Sequence, residues 1–308
     1  MSQQQLDSVV SPAQSLGALL TDAERCLNAA GIDQPALEAA WLLEHVLQVS
    51  PLMQRLNPER RMTNPECDRV RVLVARRANR EPLQYLLGTQ EFCGREFRVT
   101  PSVLIPRPES ELLVEEAIRR CAHNPSATIV DVGTGSGCLA VSVALALPAA
   151  RVLAIDISPD ALAVARANMA QHEVESRIEC FLGDLLAVLS DEAWAYQADV
   201  ILSNPPYIAD RELPALQPEV RDFEPRLALA GGSDGMDVHR RLLQQAPAYL
   251  KPGGVLLMEV GMGQVAAVCR QAEASGWFRT ASVLRDQGGI DRVVCFEKKE
   301  ENAVRPTG

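Results

Sequence analysis

Along the first third of the chain, apolar residues recur at the spacing of one helix face. Ala39, Leu42, Leu43 and Val46 stand at i, i+3, i+4 and i+7, and Val70, Leu73 and Val74 repeat the theme. The pattern predicts a small helical domain from about residue 16 to 87. The period then changes. EFC and REFRV flank Gly94 as a β-hairpin, and Pro106 and Pro108 punctuate the entry to a helix. Glu109, Ser110 and Glu111 open that helix, where acidic groups complement the positive end of its dipole. From residue 128, strands and helices alternate: TIVDV, a helix from about 137, RVLAID, the helix SPDALAVARANMAQH, IECFL, a polar stretch, ADVILS, a long loop, GGVLLMEV, and short strands near 281–285 and 292–297. This alternation predicts an α/β fold built on a doubly wound sheet. The expected organisation is an N-terminal helical domain (1–87), a hairpin and connector (88–108), the sheet domain (109–298) and a disordered tail (299–308).

Composition narrows the class. The 308 residues suffice for two domains, and 47% hydrophobic with 23% charged residues is ordinary for a globular protein. No apolar run approaches the roughly 18 residues of a membrane helix. The start, MSQQQLDSVVSPAQS, lacks a basic segment followed by a continuous apolar one, so a cytoplasmic protein with a frayed terminus is expected; a monomer is expected as well, though the sequence leaves the oligomeric state open. Cys26, Cys67, Cys93, Cys121, Cys138, Cys180, Cys269 and Cys295 form no C-x-x-C pair, which points to reduced thiols and away from structural zinc. A formal net charge of -10 argues against a general affinity for nucleic acid and favours a protein partner. Residues 55–80 reverse that sign locally, with Arg55, Arg60, Arg61, Arg69, Arg71, Arg76, Arg77 and Arg80 against Glu59, Glu66 and Asp68. A solvated helix face explains them, with a docking surface as the alternative. His45, His123, His172 and His239 lack ligand-like spacing, so neither metal nor triad chemistry is expected.

The chemistry gathers at the carboxyl ends of the predicted strands. After TIVDV comes Gly133-Thr134-Gly135-Ser136-Gly137, a loop whose backbone can approach a ligand and turn into a helix. The third glycine arrives one residue early for a dinucleotide fingerprint, and no G-x-x-x-x-G-K-[ST] occurs, so a P-loop is excluded. Asp156 ends RVLAID, where a carboxylate can accept both hydroxyls of a ribose. Gly183-Asp184-Leu185 follows IECFL, where Asp184 can accept from an adenine amino group while Leu185 packs on the ring. Each aspartate alone is more often a turn or cap residue; three such sites in order are harder to dismiss. After ADVILS stands Asn204-Pro205-Pro206-Tyr207, a stiff turn rich in acceptors and poor in donors.

The segments VDVGTGSG, AIDISPDAL, GD and SNPPY resemble the class I, S-adenosyl-L-methionine-dependent methyltransferases of the amide and exocyclic-amine type. With GREFRVTPSVLIPRPESELLVE and RDFEPRLALAGGSDGMD included, the chain is similar to the protein-(glutamine-N5) methyltransferases of class I peptide chain release factors. The resemblance implies a Rossmann-like methyltransferase sheet with a small N-terminal helical domain that helps hold the partner. It implies S-adenosyl-L-methionine bound by Gly133, Thr134, Gly135, Ser136, Gly137, Asp156, Asp184, Leu185 and Asn204, and the glutamine of a Gly-Gly-Gln loop as substrate. Asn204, Pro205, Pro206 and Tyr207 would hold that glutamine, with Asn204, Pro205 and Tyr207 catalytic. Asn204 Oδ1 and the Pro205 carbonyl can each accept one N–H of the substrate NH2, since no strong base lies within the motif. Tyr207 can offer a ring face to the side chain or to the cationic sulfur. The rivals are methylation of a glutamine in a large-subunit ribosomal protein, an adenine-N6 DNA methyltransferase, and a nonenzymatic module that binds the cofactor. Leu104 to Glu109 favours release factors over the ribosomal protein. Glu259 ends a strand near the expected pocket, and Arg221 with Glu224 lies in the loop that in the family borders the substrate glutamine, but loop ionic contacts account for them equally well; the pattern assigns no role to Arg107 or Glu111, and a closing hairpin accounts for Asp286, Asp291 and Arg292.

Overall fold

The computed structural model describes residues 14–190 and 194–300. The N-terminal stretch expected to fray and most of the tail expected to be disordered lie outside them. Contacts divide the chain into two compact units, one up to Gly88 and one from Thr89 onward.

The first unit is five helices: α1 (Leu16–Ala29), α2 (Pro35–Leu47), α3 (Pro51–Leu56), α4 (Asn64–Ala78) and α5 (Leu83–Leu87). Local sequence starts them. Ser15 caps α1 through the Ala18 N–H, and Thr63 with Glu66 forms a reciprocal capping box on α4, which satisfies donors a helix start leaves open. Leu16, Leu19, Leu27, Leu42, Leu43, Val70 and Val74 form the shared core. The arginine-rich segment departs from a uniform solvated face at Arg77, which is buried and paired with Glu38 at 2.5 Å. Arg60, Arg71 and Arg76 pair with Glu66, Asp68 and Glu81 within the same unit.

The second unit opens with a hairpin, β1 (Thr89–Phe92) and β2 (Arg95–Arg98). Its two-residue turn has positive φ at both Cys93 (51°) and Gly94 (69°), the geometry that matches strand twist. The Cys93 N–H is held by Glu111 Oε1 at 2.7 Å, which gives that glutamate a structural task beyond the helix dipole.

There follow α6 (Glu111–Cys121), β3 (Thr128–Val132), α7 (Cys138–Ala146), β4 (Arg151–Asp156), α8 (Pro159–Gln171), β5 (Ile178–Leu182), β6 (Ala198–Ser203), α9 (Pro218–Phe223), α10 (Asp237–Gln245), β7 (Leu250–Glu259), α11 (Val265–Ser275), β8 (Phe278–Arg285) and β9 (Asp291–Lys298). The sheet order is β5-β4-β3-β6-β7-β9-β8, parallel through β7 and antiparallel at the β9–β8 edge. Alternate residues feed two cores. Ile129, Val200, Leu202, Val255 and Leu257 pack on one face, while Val130, Val132, Ile201, Leu256 and Met258 pack on the other. Burial on both faces explains why these strands read as continuous apolar runs. The chain leaves β3 toward β4 in one direction and resumes at β6 on the other side. That reversal opens a crevice at the carboxyl ends of β3 and β6.

Candidate active site

Val132 and Ser203 are paired neighbours, so the glycine loop after β3 and Asn204-Pro205-Pro206-Tyr207 after β6 leave the sheet side by side. Gly133, Gly135 and Gly137 have φ of 76°, 55° and 79°, a backbone that L side chains oppose by roughly 1 kcal/mol or more. The loop is tied to β4. The N–H groups of Gly133 and Thr134 donate to Ile155 O at 2.8 and 2.9 Å, and Gly135 N–H donates to Asp156 Oδ2 at 2.8 Å. Asp156 Oδ1 accepts from Ser158 N–H at 2.9 Å, so each oxygen keeps a lone pair for a further donor. Burial raises the Asp156 pKa, against the opposing pull of those backbone N–H groups. The early third glycine has a packing reason: a Cβ at Gly137 would stand 3.1 Å from Ala165 Cβ on α8.

Beneath the loop sits Asp131, which sequence reasoning passed over. Its Oδ2 accepts from Thr134 Oγ1 at 2.6 Å and from Ala140 N–H at 3.2 Å, while Oδ1 has no partner among the described residues. The residue is fully buried, and that burial pushes its pKa up to about 7. Thr134 therefore commits its hydroxyl to bracing the loop. Ser136 is held through its carbonyl, which accepts from Asn168 Nδ2 at 2.8 Å.

The cleft over these strand ends is lined by Gly135, Asp156, Ile157, Asp184, Leu185 and Asn204, among others. Every residue expected on the cofactor side borders it except Gly137, which faces α8. Asp184 is partly engaged, since Arg241 donates to its Oδ2 at 2.6 Å. Leu185 holds φ at 53°, a conformation uncommon for a bulky side chain.

At the other wall, Asn204 Nδ2 donates to Ser110 Oγ at 3.0 Å, and Ser110 Oγ donates to Glu259 Oε2 at 2.6 Å. The Tyr207 hydroxyl donates to Glu259 Oε1 at 3.3 Å. No described residue donates to Asn204 Oδ1 or to the Pro205 carbonyl. Glu259 is 1% exposed, and burial pushes its pKa up to about 7 although Ser110, Tyr207 and the charge of Arg292 pull it down. Burial, then the nearby Glu259 charge, raises Tyr207. His239 is a buried core histidine. Burial lowers its pKa, and the neutral ring donates Nε2–H to Glu259 O at 2.9 Å.

Surrounding loops hold the motif. Gln264 Nε2 donates to Tyr207 O at 2.8 Å. Gly231 backs the turn so closely that a Cβ there would lie 2.8 Å from Pro206 O. Glu224 pairs with Arg107 and accepts from Ile105 N–H at 3.3 Å, joining the segment before α6 to the loop after the motif. Arg221 instead pairs with its neighbour Asp222, and Arg292 pairs with Asp286 at 2.8 Å. Among the described residues no group of three or more histidine, cysteine or acidic side chains is placed to hold a metal ion.

Comparison with known proteins agrees with this geometry. A family model described as the methyltransferase small domain matches residues 108–218, and one described as the PrmC N-terminal domain matches residues 18–88. A methyltransferase from Pyrococcus furiosus shares the fold, with a TM-score of 0.51 at 17% identity over 68% of this chain and 91% of its own. The sheet and cleft thus define a class I methyltransferase. The release factor glutamine methyltransferase of Geobacter sulfurreducens is 47% identical over 86% of this chain and 90% of its own length. That of Cereibacter sphaeroides is 45% identical over 87% and 93%. The chain belongs to the family of release factor glutamine methyltransferases.

Proposed function

We propose that the chain transfers a methyl group from S-adenosyl-L-methionine to the side-chain amide nitrogen of the glutamine in the Gly-Gly-Gln loop of class I release factors. The observation that carries this reading is the pair of unengaged acceptors, Asn204 Oδ1 and Pro205 O, on a rigid turn beside the glycine loop.

The residues present fit the cofactor. Asp156 keeps acceptor capacity suited to ribose hydroxyls, and Ile157, 49% exposed at the cleft, offers apolar surface suited to a purine. When bound, adenosylmethionine supplies an electrophilic methyl on a sulfonium, and the C–S electron pair leaves with sulfur as the new N–C bond forms. A carboxamide nitrogen is a poor nucleophile because its lone pair is shared with the carbonyl. Asn204 Oδ1 and Pro205 O each take one N–H, which fixes the nitrogen and turns its lone pair toward the methyl. Both acceptors bind more strongly as positive charge grows on nitrogen, so they favour the transition state over the bound substrate. The nitrogen then sheds one proton to water. Tyr207 does not line the cleft itself; its hydroxyl and carbonyl anchor the turn that carries Asn204.

The reading carries with it a monomeric cytoplasmic enzyme whose partner is protein rather than nucleic acid or membrane. The acidic net charge of -10 and eight free cysteines support that, and no described helix is long and apolar enough to cross a membrane. The test is transfer of radiolabelled methyl to release factor, to its Gln→Ala loop variant, to ribosomal proteins and to duplex DNA. Label on release factor that vanishes in the loop variant is expected. Label on ribosomal protein or DNA reassigns the substrate, and no label anywhere overturns the enzymatic reading.

A further inference from the structure

An asparagine amide is a useful acceptor only if its oxygen, not its nitrogen, faces the substrate. The two ends are nearly isosteric, so something must choose between them. The choice here lies two hydrogen bonds behind the cleft. A carboxylate is an acceptor only, so the Ser110 hydroxyl must give its single proton to Glu259 Oε2 at 2.6 Å. Ser110 Oγ can then only accept from Asn204, 3.0 Å away, and the group that donates to it must be Nδ2. Oδ1 is thereby left for the cleft. The Tyr207 hydroxyl reinforces the same polarity by donating to Glu259 Oε1 at 3.3 Å.

We propose that Ser110 and Glu259 are positioning residues that fix the direction of the Asn204 amide, and that the charge on Glu259 sets that direction. The inference rests on the acceptor reading of Asn204 given above. A proton on Glu259 removes the constraint: the acid can donate to Ser110, Ser110 can donate to Asn204 Oδ1, and Nδ2 then meets the substrate NH2 donor to donor. The carboxylate also strengthens the acceptor, because donation by Nδ2 along a polarised chain adds electron density to Oδ1. The charged and titratable groups around Glu259 are few. Arg292 from β9 and Glu109 from the turn before α6 act on its carboxyl, Arg107 acts on Tyr207, and the neutral His239 of α10 donates to its backbone carbonyl. Ser110 and Glu259 are both buried, so solvent does not compete for these bonds.

The test uses the full-length enzyme and two readouts, methyl transfer at saturating release factor and the side-chain 15N–1H2 resonances of Asn204, each followed over about pH 5.5 to 9. Wild-type kcat is expected to rise with pH through the neutral range, and the Asn204 resonances to shift with the same single titration. Ser110→Ala is expected to lower kcat about tenfold, the scale of one lost charge-linked hydrogen bond, with adenosylmethionine Kd unchanged. Ser110→Thr, which keeps the hydroxyl, restores it. Glu259→Gln flattens both the acid limb and the resonance shift. Wild-type kcat in Ser110→Ala, or an acid limb that persists in Glu259→Gln, overturns the proposal. A wild-type enzyme that leaves release factor unlabelled overturns the substrate reading instead, and the Asn204 resonances still decide the positioning.

Discussion

At the scale of single residues, the proposed mechanism rests on two neutral acceptors, Asn204 Oδ1 and Pro205 O, to which no described residue donates. Their value lies in being fixed before the substrate arrives. Replacing Asn204 by alanine removes one acceptor and leaves Pro205 O in place, so methyl transfer is expected to fall by about 100- to 1000-fold, as for loss of one oxyanion-type contact. Adenosylmethionine affinity, measured by calorimetry, should stay within about threefold, since the glycine loop and Asp156 are untouched. Unchanged transfer by Asn204→Ala would sink the acceptor mechanism. Asn204 was legible in the sequence because two prolines after an apolar run make an unusual turn whose position at a strand end follows from periodicity. Ser110 and Asp131 were not. Ser110 lies 149 positions from Glu259, and only tertiary pairing shows that a residue readable as part of a helix start is a hydrogen-bond link. Asp131 looked like one polar member of a buried strand, and the clue available was that an aspartate inside such a run needs partners for its carboxyl.

At the scale of elements, the switch between β3 and β6 brings the two loops together, and the later segments keep them there. The strand order is what makes Gly133 and Asn204 neighbours despite a long intervening chain. Alternation of apolar runs with helical segments revealed the sheet, and the hairpin at Gly94 was visible from its turn. The segment 231–235 is harder to read: its glycines look like an ordinary turn, and only packing shows that Gly231 presses on Pro206 O and Gly235 on Tyr207 O. Gly231→Ala places a methyl 2.8 Å from that carbonyl and from the backbone of Gly235, so one strand-end turn must shift. A shift of a few tenths of an ångström at the motif is expected to cut kcat about tenfold while cofactor affinity changes little. Equal losses in kcat and adenosylmethionine binding would show instead that the whole cleft had collapsed.

Across the whole molecule, the proposed positioning role of Glu259 and its burial place opposite demands on its charge. Burial pushes its pKa up to about 7 from the ordinary glutamate value, so the folded state holds the proton more tightly than the unfolded chain does. The sign follows from linkage: stability falls as pH rises from the unfolded value, near 4.5, through about 7, and the cost is complete above that window. Asp131, also raised to about 7, adds to the same slope. His239 works the other way, because its lowered pKa makes the folded state lose stability as pH drops below the ordinary histidine range. The lowered carboxylates, such as Asp286 and Asp234, act only at more acidic pH and leave this window clear. The contribution of Glu259 is therefore best read as a difference. Glu259→Gln should show a shallower decline of Tm between about pH 5 and 8 than wild type, with its relative gain at the alkaline end on the order of 3 kcal/mol or less. On the positioning proposal the same substitution also removes the charge that orients the Asn204 amide, so the more stable variant is expected to be the slower enzyme at alkaline pH. Parallel Tm profiles for the two proteins would mean that Glu259 ionises with an ordinary pKa, and the buried charge would then carry no stability cost.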